Sequence, residues 1–162
     1  MTLRLRFNLL ITLIMLFLIL AAVTMSSSKR SIQEGVESAN KVTIQYLETI
    51  IVRSVQNPEW GSTHDVIRRF LRQLGYVRSN DIFLYNDQGD LTYQSPPSSY
   101  KLEVKPPQWF INFISPNKES NSRLIQSGRL VVQSNASGAI RGVWLDLRTL
   151  FSTTLIFFLL FN

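Results

Sequence analysis

From Leu9 to Met25 the chain runs for 17 residues without a charge, interrupted only by Thr12 and Thr24. No other feature limits the possible folds so strongly. At about 1.5 Å per residue, a helix of this length nearly spans the hydrocarbon core of a bilayer. It exceeds the roughly 7–15 apolar residues of a signal-peptide core, and the closest approach to a small-residue cleavage site is Ala22-Val-Thr24. We therefore read residues 1–25 as a short cytoplasmic tip and an uncleaved anchor. Arg4 and Arg6 hold the N-terminus in the cytoplasm, so the chain beyond the anchor is exported. Lys29 and Arg30 on the far side do not reverse this, because long segments translocate largely regardless of charge.

A second apolar run, Leu150 to Phe161, lies at the other end of the 162-residue chain. It is read as the start of a second membrane segment, residues 149–162, shorter than the roughly 20 residues a span needs. Between the two lies one modest domain, residues 26–148. With Arg4 and Arg6 set aside from the 17 basic residues, that domain carries 15 basic against 11 acidic side chains. The charges are scattered, with Arg68, Arg69 and Arg72 the only cluster, and no concentrated basic face for nucleic acid is present. Cysteine is absent, which excludes disulfide scaffolds, redox motifs and thiolate metal sites.

Within the domain, Ile32, Val36, Ala39, Thr43, Tyr46 and Ile50 recur at helical spacing, and Leu47, Ile51 and Val55 widen the stripe. The anchor is thus expected to continue as one long helix until Asn57-Pro58 stops it. The stripe is either a core face or a dimer seam that carries motion, with the wide end packed and the narrow end paired. Ser62 or Thr63 starts a second helix, whose buried face is Val66, Ile67, Phe70, Leu71 and Leu74 and whose C-cap is Gly75. Asp81–Asn86 and Leu91–Gln94 read as a hairpin around Asp87-Gln-Gly-Asp90. Pro96–Pro97 and Pro106–Pro107 bracket a loop. Gln108–Ile114 is a short helix presenting Trp109, Phe110 and Phe113, and Ser122–Gln126 with Arg129–Ser134 forms a second hairpin around Gly128. Asn135–Gly138 reads as a turn. From Ile140 onward the spacing of Val143, Trp144, Leu147, Leu150 and Phe151 favours a helix, with a strand at Val143–Leu145 as the alternative.

The sequence offers little catalytic chemistry. His64, the one histidine, precedes Asp65 at the start of a helix; it has no cysteine partner and no Gly-x-Ser-x-Gly elbow to serve. Its setting superficially resembles a kinase phosphoacceptor, but the topology puts it outside the cell. A lone histidine with scattered carboxylates is a poor metal site. Asn86–Asp90 lacks the spacing of a calcium loop and reads as a hairpin turn. Asn135-Ala-Ser137 matches a glycosylation sequon, which the turn explains equally well. No catalytic residue, metal ligand or cofactor site is expected. Trp109 and Phe110 either cap the core beneath a loop or form a partner or ligand surface. Trp144 is an interfacial aromatic or packs on the first helix, where a shift would be transmitted together with Ile32, Val36 and Ala39.

Arg6-Phe-Asn-Leu-Leu-Ile11, Trp60-Gly61, Ile82–Asp90 with its Gly turn, Pro107-x-Trp-Phe110, Gly128–Gln133 and Val143-Trp144 occur in an order and spacing that together resemble the LapD/MoxY-type N-terminal periplasmic domain, with MoxY-like membrane sensor histidine kinases the nearest kind. The resemblance covers essentially the whole chain. It implies an α+β input domain with a PAS-like mixed sheet, held at the inner membrane, facing the periplasm and acting as a homodimer. In that family a HAMP linker and either a histidine-kinase core or cyclic-di-GMP domains follow the second span.

Overall fold

The computed structural model describes residues 3–161; Met1, Thr2 and Asn162 lie outside the described residues, as do the side chains of Arg4 and Arg6, on which the orientation of the anchor rests. The expected α+β class is what the chain adopts. Helix α1, Leu3–Gln56, is 54 residues long, about 80 Å at about 1.5 Å per residue. Its N-terminal part contains an 18-residue window of mean hydropathy 2.2, none of it buried in the chain, so by length and composition it is the one helix among the described residues fit to cross a membrane. No proline interrupts α1 before Pro58, and it stops there as expected. A 3-10 turn, Pro58–Trp60, reverses the chain, and the Arg69 guanidinium fastens that turn by donating to the Trp60 carbonyl.

Helix α2, Thr63–Leu74, begins on Ser62, whose Oγ accepts from the Asp65 N–H at 3.1 Å. It ends at Gly75, whose positive φ of 68° a side chain would resist. Strands β1 (Asn80–Tyr85) and β2 (Leu91–Gln94) form the first hairpin, and β3 (Ser120–Ile125) and β4 (Gly128–Ser134) the second. Helix α3 (Gln108–Ile114) stands between the hairpins, and α4 (Ser137–Phe161) closes the fold. The two hairpins join through β1 and β4 into a four-stranded sheet of order β2-β1-β4-β3. Every pairing is antiparallel, with Ile82 opposite Val132 and Leu84 opposite Leu130. The mixed sheet that the resemblance implied is thus antiparallel throughout, because each hairpin fixes its own direction and the central pair is also antiparallel.

The buried seam of α1 is Ile32, Val36, Asn40, Leu47 and Ser54, flanked by Thr43, Ile44 and Ile51. With Thr43 and Ile51 included, its steps of four, four and three average about 3.67 residues per turn, close to the 3.6 of an α-helix, so one face stays nearly in line along its length. The stripe read from the sequence drifts off that face. Tyr46 and Val55 point to solvent, and Ala39 is half-buried in neither core, while Asn40 takes the buried position beside it. Leu74, at the fraying end of α2, is likewise exposed, and Thr63 and His64 are buried instead.

The seam serves two cores. One packs Leu47 against Ile67 and Leu71 of α2 and Ile82, Leu84, Leu130 and Val132 of the sheet. The other packs Ile32 and Val36 against Phe110 and Ile114 of α3 and Ile140 of α4. A belt of polar contacts lies between them. Asn40 Nδ2 reaches Glu119 Oε2 at 3.4 Å, Asn80 Nδ2 donates to Thr43 Oγ1 at 2.9 Å, and Ser134 Oγ accepts from the Glu119 N–H at 2.9 Å. The narrow end of the stripe, read as a possible dimer seam, is therefore packed within the chain.

Asn135–Gly138 is the start of α4 rather than a free turn: Asn135 Oδ1 accepts from the Ser137 N–H at 2.9 Å. Its Nδ2 is held by both carboxylate oxygens of Asp81, at 3.0 and 2.8 Å, which ties the helix start to β1 and occupies the amide that a sequon reading would modify. Val143–Leu145 is helical, not strand.

Candidate functional site at the junction of α1, α3 and α4

Three aromatic rings meet where α3 packs against α1 and α4. Pro107 positions the start of α3, an extended residue with φ −67° and ψ 152° that precedes the first helical turn. Successive side chains on a helix point about 100° apart, so Trp109 and Phe110 diverge. Phe110 turns inward and is completely buried among Ile32, Val36, Ile114 and Ile140. Trp109 turns outward and is 60% exposed. The two residues read together as a surface are thus separated by the fold: Phe110 belongs to the core, and Trp109 alone faces solvent.

Trp144 of α4 lies over both. Its ring centroid is 5.0 Å from Phe110 and 6.0 Å from Trp109, the latter nearly perpendicular at 83°. These separations and tilts are those at which the ring quadrupoles attract. Val143 and Leu147 beside it pack on the same core as Met25 of α1. Trp144 is therefore half-buried at a three-helix junction. Its direct packing partners are α3 rings rather than the first helix alone. Lys29 of α1 sets its ammonium 5.4 Å from the Phe113 ring centroid, a cation–π contact that draws the outer face of α3 toward α1. Further along, Phe151 of α4 meets Phe17 of α1 edge-on at 5.9 Å. The pairing of α1 with α4 thus runs from the junction into the apolar stretch of the anchor.

His64 sits far from this junction, beneath the first hairpin. Its Nε2 is 2.9 Å from Thr92 Oγ1, and that hydroxyl donates to the Leu84 carbonyl at 3.0 Å. The Thr92 oxygen therefore accepts from an Nε2–H, which assigns the proton to that nitrogen. His64 is a buried structural residue held through Nε2, and Gly128 leaves it room: a Cβ there would stand 3.3 Å from the imidazole and 2.1 Å from the Tyr85 carbonyl oxygen. In the Asn86–Asp90 turn, Asn86 Oδ1 accepts from the N–H groups of Gln88 and Asp90 at 3.0 and 2.8 Å, which makes it a hairpin turn closed by its own side chain.

Among the described residues, two groups have perturbed acidities. The hydroxyl of Ser62, 2.7 Å from Asp65 Oδ2, holds the Asp65 carboxyl below the usual carboxylate range, with His64 and Arg68 adding to the effect. Burial pushes the Tyr93 phenol up; its hydroxyl donates to the Leu71 carbonyl at 2.8 Å. Both belong to the sheet core and its helix cap.

Ile32, Val36 and Trp144 are brought together around Phe110; Ala39 is not part of that cluster. Sequence reasoning missed Ile140 and Ile114 as the residues that complete the junction. Their helical spacing from Trp144 and from Phe110 was the available signal. A family model described as the LapD/MoxY periplasmic domain matches residues 21–144, more than half of the chain, ending on Trp144 itself. No curated protein matches the sequence.

Proposed function

The chain belongs to the LapD/MoxY periplasmic-domain family, a periplasmic input domain of a membrane signalling receptor anchored by an N-terminal apolar helix, and we propose on that premise that it is the sensing part of a two-component histidine kinase. The observation that supports this is the continuity of α4. One helix carries Trp144 into the domain core against Phe110 and runs on beside α1, where Phe151 meets Phe17. A periplasmic signal that shifts α4 against α1 has a direct mechanical route to the membrane. Packed helices have discrete arrangements, so such a signal biases a two-state equilibrium rather than bending the helix continuously. The domain acts as a homodimer, and its role is binding and transmission, with no catalysis of its own.

Reading the gene past the codon for Asn162 tests the kinase assignment. A HAMP linker followed by a dimerisation helix bearing a phosphoacceptor histidine supports it. Cyclic-di-GMP domains at that place make the chain the input of a LapD-like receptor instead. A stop codon there removes the kinase reading.

One observation favours a second reading, a tethered domain that recruits a periplasmic protein. Trp109 exposes a large indole beside a buried aromatic, the kind of anchor that dominates protein interfaces. Pull-down from periplasmic extract with the parent chain and with Trp109→Ala distinguishes the two: a partner lost in the variant supports recruitment, and equal capture by both removes it.

A further inference from the structure

A cavity of about 560 Å³ opens between the loop after β2, the C-terminal end of α3, the ends of β1 and β4 and the first turns of α4. That volume lies in the range of small-molecule sites. Its lining includes the apolar side chains of Val104, Ile111 and Ile140. It also includes Lys105, Lys118 and Arg141, with Asp81 the single carboxylate in the lining among the described residues. Asp81 is already engaged, both its oxygens accepting from Asn135. Arg141 is only partly satisfied: one terminal nitrogen donates to the Ser98 carbonyl at 3.2 Å, and its Nε is buried without a partner. With its one carboxylate already engaged, the lining carries three cationic side chains, a charge that an anion in the cavity offsets.

We propose that this cavity binds a small organic carboxylate. The carboxylate pairs with Arg141, flanked by Lys105 and Lys118, and a hydrocarbon body lies on Val104, Ile111 and Ile140. The planar guanidinium suits a carboxylate in the fork geometry that gives bidentate pairs. These apolar side chains select against an inorganic anion, which would leave them uncovered. Arg141 stands three residues before Trp144 on α4, on the helix that meets Phe110. Occupation of the cavity therefore acts on the junction, a consequence that rests on the receptor reading, whereas binding does not.

The test is titration calorimetry on the full chain in a zwitterionic detergent, with phenylacetate and hexanoate as carboxylates, phenylacetamide as the neutral counterpart, and inorganic phosphate. The carboxylates are expected to bind one per chain and at least about 10-fold more tightly than phenylacetamide or phosphate, with Arg141→Gln weakening them by about 10-fold or more. Because Arg141 also holds the Ser98 carbonyl, the double variant Lys105→Gln with Lys118→Gln, at exposed positions, provides a second measure and is expected to weaken binding several-fold. The proposal is overturned if neither carboxylate binds up to about 10 mM, if phenylacetamide or phosphate binds as tightly, or if both variants leave the affinity unchanged. Carboxylate binding that leaves the Trp109 and Trp144 fluorescence unchanged keeps the site and removes its coupling to the junction.

Discussion

The Phe110 and Trp144 rings lie 5.0 Å apart at a tilt of 54°, and through this contact α3 and α4 share one core with α1. The two residues differ in what their loss should do. Phe110 is completely buried, so Phe110→Ala leaves a cavity and is expected to cost about 3–5 kcal/mol. Trp144 is half-buried at the edge of that core, so Trp144→Phe keeps most of the packing and is expected to cost under about 1.5 kcal/mol. Denaturant titration of the full chain in detergent measures both. A Trp144→Phe loss as large as that of Phe110→Ala would mean that Trp144 is a core residue first and a poor candidate for transmission.

Gly128 is the position least able to accept a side chain. Its φ is 153°, and an added Cβ would come within 2.1 Å of the Tyr85 carbonyl oxygen, a backbone atom in the paired strand. Gly128→Ala therefore has to move β1 from β4. The expected loss is about 2–3 kcal/mol, read as a lowered midpoint in the same titration, while Gly35→Ala, with nothing within 4 Å of its Cβ, is expected to be neutral or slightly stabilising.

Tyr93 gives the domain an alkaline limit. Burial raises its phenol, so the folded state keeps the proton that the unfolded chain gives up. Its contribution to stability is complete below the unfolded value of about 10 and is lost as pH rises from there toward the folded value. Tyr93→Phe removes the hydrogen bond to Leu71, and stability measured above about pH 10 should then fall less steeply than in the parent. An identical slope in both would mean that another group governs the alkaline limb.

The start of α2 supplies the acid counterpart. Ser62 both accepts from the Asp65 N–H and donates to its carboxylate, so Ser62→Ala is expected to cost about 1 kcal/mol near neutral pH. The Asp65 carboxyl is depressed in the folded state, so its contribution is present above the unfolded value of about 3.9 and disappears as pH falls through the folded one. The gap between parent and Ser62→Ala should therefore narrow below about pH 4. Chemical denaturation at pH 7 and pH 3 checks this, and a gap of constant size would show that the cap acts through the Asp65 N–H alone.

Much of this architecture is written locally and was legible as such. Pro58 ends α1, Ser62 opens α2, Gly75 closes it, and the turns at Asp87–Asp90 and Gly128 mark both hairpins. What the sequence left open depends on contacts between distant segments. Asn40 and Ser54 are polar, so hydrophobic periodicity passed over them and selected Tyr46 and Val55, although the seam runs through the polar pair. Trp109 and Phe110 are adjacent and both aromatic; which one is buried depends on where α1 and α4 lie. The pairing of β1 with β4, and with it the all-antiparallel sheet, joins strands more than 40 residues apart and leaves no local trace. The cavity is likewise invisible in the sequence, since Arg141, Lys105 and Lys118 come from three separate segments.

The polar belt of Asn40, Thr43, Asn80 and Glu119 divides the interior into two oily compartments threaded by a single helix. Burial is what couples parts of a protein into one melting unit, and here that coupling is interrupted across the middle of the domain. Amide exchange along α1 should therefore change rate near Asn40, with the residues before it opening together with α3 and α4 and those after it opening with the sheet. In a domain built this way the half next to the bilayer can open without releasing the strands, so a change at the α3–α4 junction need not disturb the sheet.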